Sequence, residues 1–320
     1  MINYQEFEET FKRVQQEFDV LMKKQNKNFL NNNALVDGIA VALGRINKNI
    51  LPETKEEKEY KKFVAKYKQL VVPEFVKLLN PNVIYSPEKG ILKRAYEDGQ
   101  FEGFEYYNSE DYISGYINDY KFEMANVCTK KSNITKEGKR EFVVDFQGLY
   151  AIMPLPETNG IELYLRDDYK DTYKALSQLI TEDFDSLYSK MDSSEFEKSF
   201  DVYTNNKDFA SKIFTQDIMK LMVEYKKQIN IPFEFTIKNN HFYIRFKGYD
   251  LFEPYVLDGH PILEKNQLYK DYYTLNFAYT IMLMMYDNIN KNKWKTEMDA
   301  SKASIYIYYL DLVISSINSG

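Results

Sequence analysis

The chain has few of the side chains that most often carry out chemistry in proteins. It contains one cysteine, Cys128, and two histidines, His241 and His260. A single cysteine excludes an internal disulfide framework and a cysteine-based zinc cluster, which fits a reducing compartment. Cys128 lies in a strand-like run, where an inert buried thiol is a plainer interpretation than a nucleophile.

Glycine is also scarce, with 12 residues scattered among turns in a chain of 320. Neither the Gly-x-x-x-x-Gly-Lys-Ser/Thr phosphate loop nor the Gly-x-Gly-x-x-Gly fingerprint occurs. We therefore predict no nucleotide enzyme of familiar type and no cofactor.

An excess of basic charge is missing as well. The 42 basic and 48 acidic side chains give a net charge of −6, so the release of counterions that drives nucleic-acid binding has little to act on. The acidic clusters at 167–171 and 182–185 do not have the spacing of a calcium loop, because the second has no Asp at loop position 5 and no Gly at position 6. We predict neither a nucleic-acid partner nor a metal site.

The sequence also contains no long apolar run. The two most apolar stretches, Ala34 to Leu43 and Ala278 to Met285, are shorter than the roughly 18 to 20 residues of a membrane span. The N-terminus is a charged amphipathic helix without the apolar region of a signal peptide. The sequence therefore predicts a soluble, cytoplasmic protein with no integral membrane segment.

What the sequence does contain is a strong β-hairpin pattern at residues 233–246. Apolar residues alternate with polar ones on both sides of Asn239-Asn240, and Asn tolerates the positive φ of a two-residue type I′ turn. This register places pairs 233/246, 235/244 and 237/242 on one buried face. The six apolar positions are Phe233, Phe235, Ile237, Phe242, Ile244 and Phe246.

A second β-rich block runs from about Tyr112 to Arg166. Around Asn118-Asp119, Gly115 would lie opposite Phe122 and leave room for its ring. Strands at 142–152 and 161–165, joined by a turn at 154–160, complete an antiparallel sheet of about four strands. We interpret the polar run from Lys130 to Arg140 as a loop.

Helices are predicted before, between and after these strands. A helix at 206–229 is predicted to split at Thr215, which can cap its second half. Pro73 is predicted either to kink a long helix that begins near residue 58 or to start a new turn in it. Met282 to Tyr286 could line a protein-binding groove, but core packing is the commoner explanation. The remaining predicted helices cover 4–28, 34–45, 171–188, 268–289 and 304–317.

These patterns indicate an α+β protein, an antiparallel β-sheet meander flanked by helices. We divide it into an N-terminal helical segment (1–58), an α+β domain (59–293) and a C-terminal helix (294–320).

Four short elements of the sequence occur in a characteristic order. They are an Asp-x-Ile-x-Gly run (111–115), a Phe-x-Gly-Leu-aromatic strand end (146–150), Val202-Tyr203 before a helix, and Leu-Phe-Glu (251–253). With the helical stretch 61–91, they resemble the bacterial DUF3137 family over about residues 60–290. Members often carry membrane-spanning segments where this chain has only ALVDGIAVAL. The resemblance implies fold and class, and it transfers no site residue.

One loop brings acidic and imidazole groups close together in sequence. Glu253, Asp258 and His260 lie within eight positions and are the low-ranked candidates for a catalytic site, although a solvated loop explains them more simply. His241 follows a hairpin turn, where an exposed polar residue needs no special role.

We therefore expect a non-catalytic cytosolic interaction or scaffold module with a protein partner. Peripheral contact with the inner membrane face and homo-oligomerisation are left open. The alternative is an enzyme of unrecognised class with its site near Asp258 and His260.

Overall fold

The computed structural model describes residues 4–25, 55–99, 103–134, 138–156, 158, 160–167, 188–248, 250–257 and 260–290. The helices within these ranges are α1 (Tyr4–Gln25), α2 (Lys55–Leu70), α3 (Val72–Val76), α4 (Lys93–Glu97), α5 (Ser194–Glu197), α6 (Lys207–Ile213), α7 (Gln216–Ile229) and α8 (Lys265–Ile289). The strands are β1 (Ile84–Ser86), β2 (Tyr106–Ile117), β3 (Tyr120–Ile134), β4 (Arg140–Pro154), β5 (Leu163–Asp167), β6 (Phe200–Thr204), β7 (Phe233–Lys238), β8 (His241–Lys247), β9 (Tyr255–Leu257) and β10 (His260–Ile262).

Eight of these strands form one antiparallel sheet in the order β1-β2-β3-β4-β8-β7-β5-β6, and β9 and β10 form a separate pair. The α+β class is confirmed. The sheet has eight strands and not the expected four, because the β7–β8 hairpin joins it between β4 and β5 and because β1 and β6 form its two edges. Strands β4 and β5 therefore do not pair, although they follow one another in the chain.

The β7–β8 hairpin has the predicted register. Phe235 pairs with Ile244, and both side chains are buried. Asn239 and Asn240 have φ values of 50° and 57°, as a type I′ turn requires. The opposite face of this hairpin is buried as well, because Tyr243 packs into a second, smaller core.

The predicted pairing of β2 with β3 is also confirmed, with Gly115 opposite Phe122. A Cβ atom on Gly115 would lie only 2.9 Å from the Phe122 ring. The glycine therefore makes space for a fully buried aromatic side chain.

The predicted loop from Lys130 to Arg140 is wrong. Strand β3 continues to Ile134 and β4 begins at Arg140, and the two strands remain paired up to these residues. Polar side chains are compatible with an exposed strand as well as with a loop, so composition alone could not distinguish the two.

Both predicted helix breaks, at Pro73 and at Thr215, are confirmed. Pro73 lies in the first turn of α3, directly after α2 ends. The Thr215 hydroxyl accepts a hydrogen bond from the Ile218 amide at 3.4 Å and begins α7, while Asn206 caps α6.

The main core lies on one face of the sheet, under α1, α2, α3, α7 and α8. Phe7 of α1 stacks at 5.7 Å on Tyr272 of α8, so the N-terminal helix packs on the sheet domain. Met282 and Met285 are fully buried, which confirms core packing for the methionine-rich run.

Three predicted helices, at 34–45, 171–188 and 304–317, fall wholly or almost wholly outside the described residues. Among the helices that the structure describes, none is long and apolar enough to cross a membrane.

Candidate functional site

A buried lysine forms the centre of a cluster of charged side chains. Lys68 lies on α2, four residues after Val64 and three before Val71, at the border of the apolar stripe of the helix. Its side chain is only 7% exposed. A lysine is rarely buried so completely unless its charge is compensated.

The carboxylate that compensates the charge of Lys68 lies at an irregularity in β2. The pairing of β2 with β3 shifts between Glu110 and Ile113, and Asp111 has a φ of 59°. The Asp111 amide donates to the carbonyl oxygen of Pro87 at 2.9 Å instead of to β3. This β-bulge lets the Asp111 carboxylate reach α2.

The Asp111 carboxylate is held by three donors. It lies 2.7 Å from Lys68 Nζ, and it also accepts from Tyr85 Oη at 2.5 Å and Asn126 Nδ2 at 3.0 Å. Glu253 provides a second carboxylate 2.6 Å from Lys68 Nζ, and Glu110 a third at 3.9 Å. We call Lys68, Glu110, Asp111 and Glu253 the Lys68 cluster.

The segment that carries Glu253 is fixed from both sides. The Asn126 side chain donates to the Leu251 carbonyl at 3.0 Å and accepts from the Leu251 amide at 3.2 Å. Phe252 has a φ of 59°, and its amide donates to Asp271 on α8 at 2.9 Å. These bonds order the chain immediately before Glu253.

Burial and charge act in opposite directions in this cluster. Burial raises the pKa of Glu253 to about 7, against the opposing attraction of Lys68. Burial also raises the pKa of Glu110. For Lys68, burial lowers the pKa, but Glu253 and Asp111 outweigh it and hold the pKa above its usual range. Lys68 is therefore charged at neutral pH.

The cluster reaches solvent through Glu110 and Glu253, whose side chains are 47% and 36% exposed. Oxygens of Glu110, Asp111 and Glu253 lie within 4.8 Å of one another, a spacing that a metal ion could use. The Lys68 ammonium already bonds two of the three carboxylates. The arrangement is an ion cluster in which one buried ammonium offsets part of the charge of three carboxylates, and burial places the pKa of Glu253 at about 7.

Of the site residues that were predicted from the sequence, one lies in the Lys68 cluster. Glu253 belongs to it. Asp258 lies outside the described residues, and His260 is described as the first residue of β10, where it pairs with Leu257. His241 follows the hairpin turn as expected, with Nδ1 2.8 Å from the Asn239 carbonyl oxygen.

Sequence reasoning missed Lys68 and Asp111. The position of Lys68 beside an apolar stripe was a usable signal, because a charged residue there must be compensated. Three of the motif elements noted in the sequence meet here: Asp111 begins one, Glu253 ends another, and Gln147 of the third donates to Asp250 at 2.6 Å.

Cys128 is half-buried in β3, and burial raises the pKa of its thiol. This environment is that of an unreactive cysteine.

A second region of interest is the end of the β3–β4 ribbon. Beyond Lys130, β3 pairs with β4 but no described strand pairs with its outer side, and before Gly148 none pairs with the outer side of β4. The ribbon thus runs past its neighbours as a two-stranded projection. We call residues 131–134 and 140–146 the arm.

The arm concentrates exposed apolar side chains. Four of the ten large hydrophobic residues that are exposed in the described part of the chain lie on it, and a fifth, Tyr106, lies beside its base. The four are Ile134 (73% exposed), Phe142 (47%), Val143 (46%) and Val144 (41%).

Basic side chains accompany this apolar surface. Lys130 Nζ lies 4.9 Å from the centre of the Tyr106 ring, and the Arg140 guanidinium lies 5.8 Å from that of Phe142. Lys131 pairs with Asp145 at 2.7 Å, and Arg140 pairs with Glu105. An exposed surface of this composition is typical of an interaction site.

Comparison with known proteins identifies a family and a distant structural likeness. The sequence profile of a family described as "Protein of unknown function (DUF3137)" matches residues 144–315, more than half of the chain. The match covers Glu253, whereas Lys68 and Asp111 precede it. No curated protein matches the sequence.

One solved structure that resembles the chain is the crystal structure of the mycobacterial trehalose monomycolate transport factor A, TtfA. The identity is 8%, the TM-score is 0.37, and the likeness covers 69% of this chain and 93% of that one. A likeness this distant transfers no function.

Proposed function

The chain belongs to the DUF3137 family, and we propose that it is a non-catalytic, cytoplasmic module that binds a partner protein through the β3–β4 arm. The observation that supports this is the run Phe142, Val143 and Val144, consecutive and exposed on a ribbon that leaves the sheet. Phe142 and Val144 share one face of this ribbon and Val143 lies on the other, and exposed apolar side chains gathered in one place are typical of an interaction site.

The Lys68 cluster supports the non-catalytic part of this proposal. Its ammonium is bonded by two carboxylates, and Asp111 accepts bonds from Tyr85 and Asn126. Groups committed to one another in this way stabilise a fold more readily than they act on a substrate.

Quantitative affinity capture from the native cells tests the proposal. The arm variant Phe142→Ser with Val144→Ser should lose proteins that the wild type retains. The matched control is Ile84→Ser with Tyr116→Ser, which removes two more fully exposed apolar side chains from β1 and β2. Identical captured sets for wild type, arm variant and control would contradict the proposal.

A cytoplasmic location is part of this proposal. Untagged protein should appear in the soluble fraction of lysed cells, or be released from membranes by high salt. Membrane association that resists high salt would refute it.

A second candidate function, an enzyme with a site at Glu253, Asp258 and His260, is favoured by one observation. A glutamate whose pKa lies at about 7 is suited to general acid–base catalysis. His260→Ala with Asp258→Asn should then abolish the in-vivo phenotype of the gene while the protein still folds and accumulates. If the phenotype persists, this alternative is wrong.

A further inference from the structure

We propose that the protein binds a phosphate-class oxyanion at Arg166 and Thr236, on the face of the sheet opposite the main core. This inference goes beyond the proposed function, because it concerns a ligand site in a different part of the sheet from the arm and does not depend on a protein partner.

The site is built on three adjacent strands, β5, β7 and β8. Alternate residues of these strands are apolar and belong to the main core, so the residues between them point to the opposite face. On that face, Glu234 of β7 pairs directly with Arg245 of β8. Arg166 follows the pair Leu165–Phe235 on β5, which places it on the other side of Glu234. The three charged side chains therefore form one row across the strands.

One carboxylate serves two guanidinium groups in this row. Arg245 Nε donates to one oxygen of Glu234, and Arg166 Nη1 lies 3.2 Å from the other. The three side chains are only 22% to 24% exposed. Glu234 balances one of the two positive charges, and a positive charge that is largely buried without its own counter-charge is unfavourable.

The uncompensated charge falls on Arg166. Arg245 also donates to Tyr96 Oη at 3.0 Å and lies 5.1 Å from the centre of the Phe146 ring. Burial lowers the pKa of Arg245, but Glu234 and Tyr96 outweigh it and hold the pKa above its usual range. For Arg166, burial lowers the pKa, and the attraction of Glu234 does not restore it because Arg245 repels it.

The hydrogen-bond donors of Arg166 are only partly used. Besides the pair with Glu234, Nη1 lies 3.5 Å from the Leu165 carbonyl oxygen, which is longer than a good bond. Asp201 on β6 is the register partner of Arg166, but the ion pair that Arg166 makes within the described ranges is with Glu234. The remaining N–H groups can bind an acceptor, and the planar guanidinium matches the oxygens of a phosphate.

A second polar group lies beside Arg166. Thr236 pairs with Tyr164, two residues before Arg166, so Thr236 is a diagonal neighbour of Arg166 on the same face. Thr236 is fully buried, and its Oγ1 has no hydrogen-bond partner among the residues that the structure describes. A buried hydroxyl in this state is costly and is commonly explained by a bound ion or water. An oxyanion between the two side chains would satisfy both.

The chemistry of these groups selects the class of ligand. A guanidinium can only donate, and its positive charge excludes a cation. A tetrahedral oxyanion has oxygens outside the plane of the guanidinium, so it can also accept from the Thr236 hydroxyl. Tyr164 and Tyr243 flank Thr236 in register and are 8% and 2% exposed. Nearly buried surroundings of this kind strengthen a charge-assisted hydrogen bond.

Isothermal titration calorimetry of the full chain with inorganic phosphate, at constant ionic strength, tests the proposal. We expect saturable binding at one site. Arg166→Gln should weaken it about tenfold or more. The matched control is Arg13→Gln, which removes an arginine that pairs with Glu74 and whose side chain is 54% exposed. This control should bind phosphate as the wild type does.

A second variant keeps the test valid if Arg166→Gln does not fold. Thr236→Val removes a hydroxyl that has no partner in the protein, so it should fold as the wild type does and bind phosphate at least about threefold more weakly. In nuclear magnetic resonance spectra of the wild type, the Nε–H signal of Arg166 should shift on addition of phosphate.

Several results would overturn the site. They are no saturable binding of phosphate, equal binding by wild type, Arg166→Gln and Thr236→Val, and a loss in Arg13→Gln as large as that in Arg166→Gln. Acetate that binds as tightly as phosphate would show that the phosphate class is wrong. Wild-type binding by Thr236→Val, with a loss in a folded Arg166→Gln, would show that water and not the anion accounts for the Thr236 hydroxyl, which contradicts the two-residue site.

The source of the oxyanion is distinguished by a titration with glycerol 3-phosphate. Tighter binding than that of inorganic phosphate supports the site with a phosphate ester as its ligand, and weaker binding supports it with free phosphate.

Discussion

The β7–β8 hairpin and the β3–β4 arm are both antiparallel ribbons, yet they differ in almost every other respect. The hairpin lies in the interior of the sheet and is buried on both faces, whereas the arm leaves the sheet and keeps Phe142, Val143 and Val144 exposed. In the hairpin, one face packs into the main apolar core while the other carries the Glu234–Arg245 ion pair beside a smaller core, so apolar and polar residues alternate. No such difference between faces acts on the arm. The difference shows that a strand packed against a core can be predicted from its sequence pattern. A strand that is stabilised only by hydrogen bonds to one neighbouring strand has the composition of a loop and is predicted as one.

The largest expected effect compares one phenylalanine from each ribbon. Phe235→Ala should lower the free energy of unfolding by about 3–5 kcal/mol, because its ring is fully buried against Phe214 and Phe242. Phe142→Ala on the arm should change it by less than about 1 kcal/mol. Urea denaturation of both variants measures the two values. Similar losses would mean that the arm is part of the core.

The next comparison sets the buried lysine against an exposed one. Lys68→Met should cost about 3 kcal/mol, because it leaves Asp111 and Glu253 without their shared counter-charge. Lys131→Met breaks the exposed pair with Asp145 and should cost less than about 1 kcal/mol. Equal costs in chemical denaturation would show that the Lys68 cluster contributes little to stability.

A smaller effect concerns pH. The folded pKa of Glu253 is about 7, above the value of about 4.3 for an unfolded chain, so between these values the folded state holds the extra proton. The contribution of Glu253 to the free energy of unfolding is therefore fully present at low pH and is lost as the pH rises through 7. Since the side chain is 36% exposed, we discount the effect to about 1 kcal/mol between about pH 5 and pH 8.

Glu253→Gln should remove this part of the pH dependence, as measured by urea denaturation across that range. Glu141→Gln on the exposed arm is the matched control and should keep the wild-type slope. An unchanged slope in Glu253→Gln would contradict the raised pKa.

The smallest effect separates the two asparagines of the hairpin turn. Asn240→Gly should cost about 1 kcal/mol, because the Asn240 Oδ1 accepts from both the amide and the hydroxyl of Thr158, at 2.8 and 2.9 Å. Asn239→Gly should change stability by less than about 0.5 kcal/mol, since glycine suits the same positive φ. Thermal or urea denaturation measures both, and a reversed order would place the important contacts on Asn239.

The parts of the fold that could be predicted are those with local rules. Alternation around Asn239-Asn240, the small residue at Gly115 and the cap at Thr215 each restrict a few neighbouring residues, and each prediction is confirmed. Of the candidate site, only Glu253 was anticipated. The Lys68–Asp111 pair spans 43 positions and depends on a bulge that has no sequence pattern of its own.

The sequence by itself therefore determined the class of the fold, the registers of two hairpins and the ends of several helices, because side-chain periodicity and turn chemistry act over a few residues. Only the tertiary structure decided that β7–β8 enters the sheet between β4 and β5, that Asn126 bonds Leu251 across 125 positions, and that the end of the β3–β4 ribbon stays exposed. These features depend on which distant segments meet, and that choice is made by the burial of the whole chain and not by any local pattern.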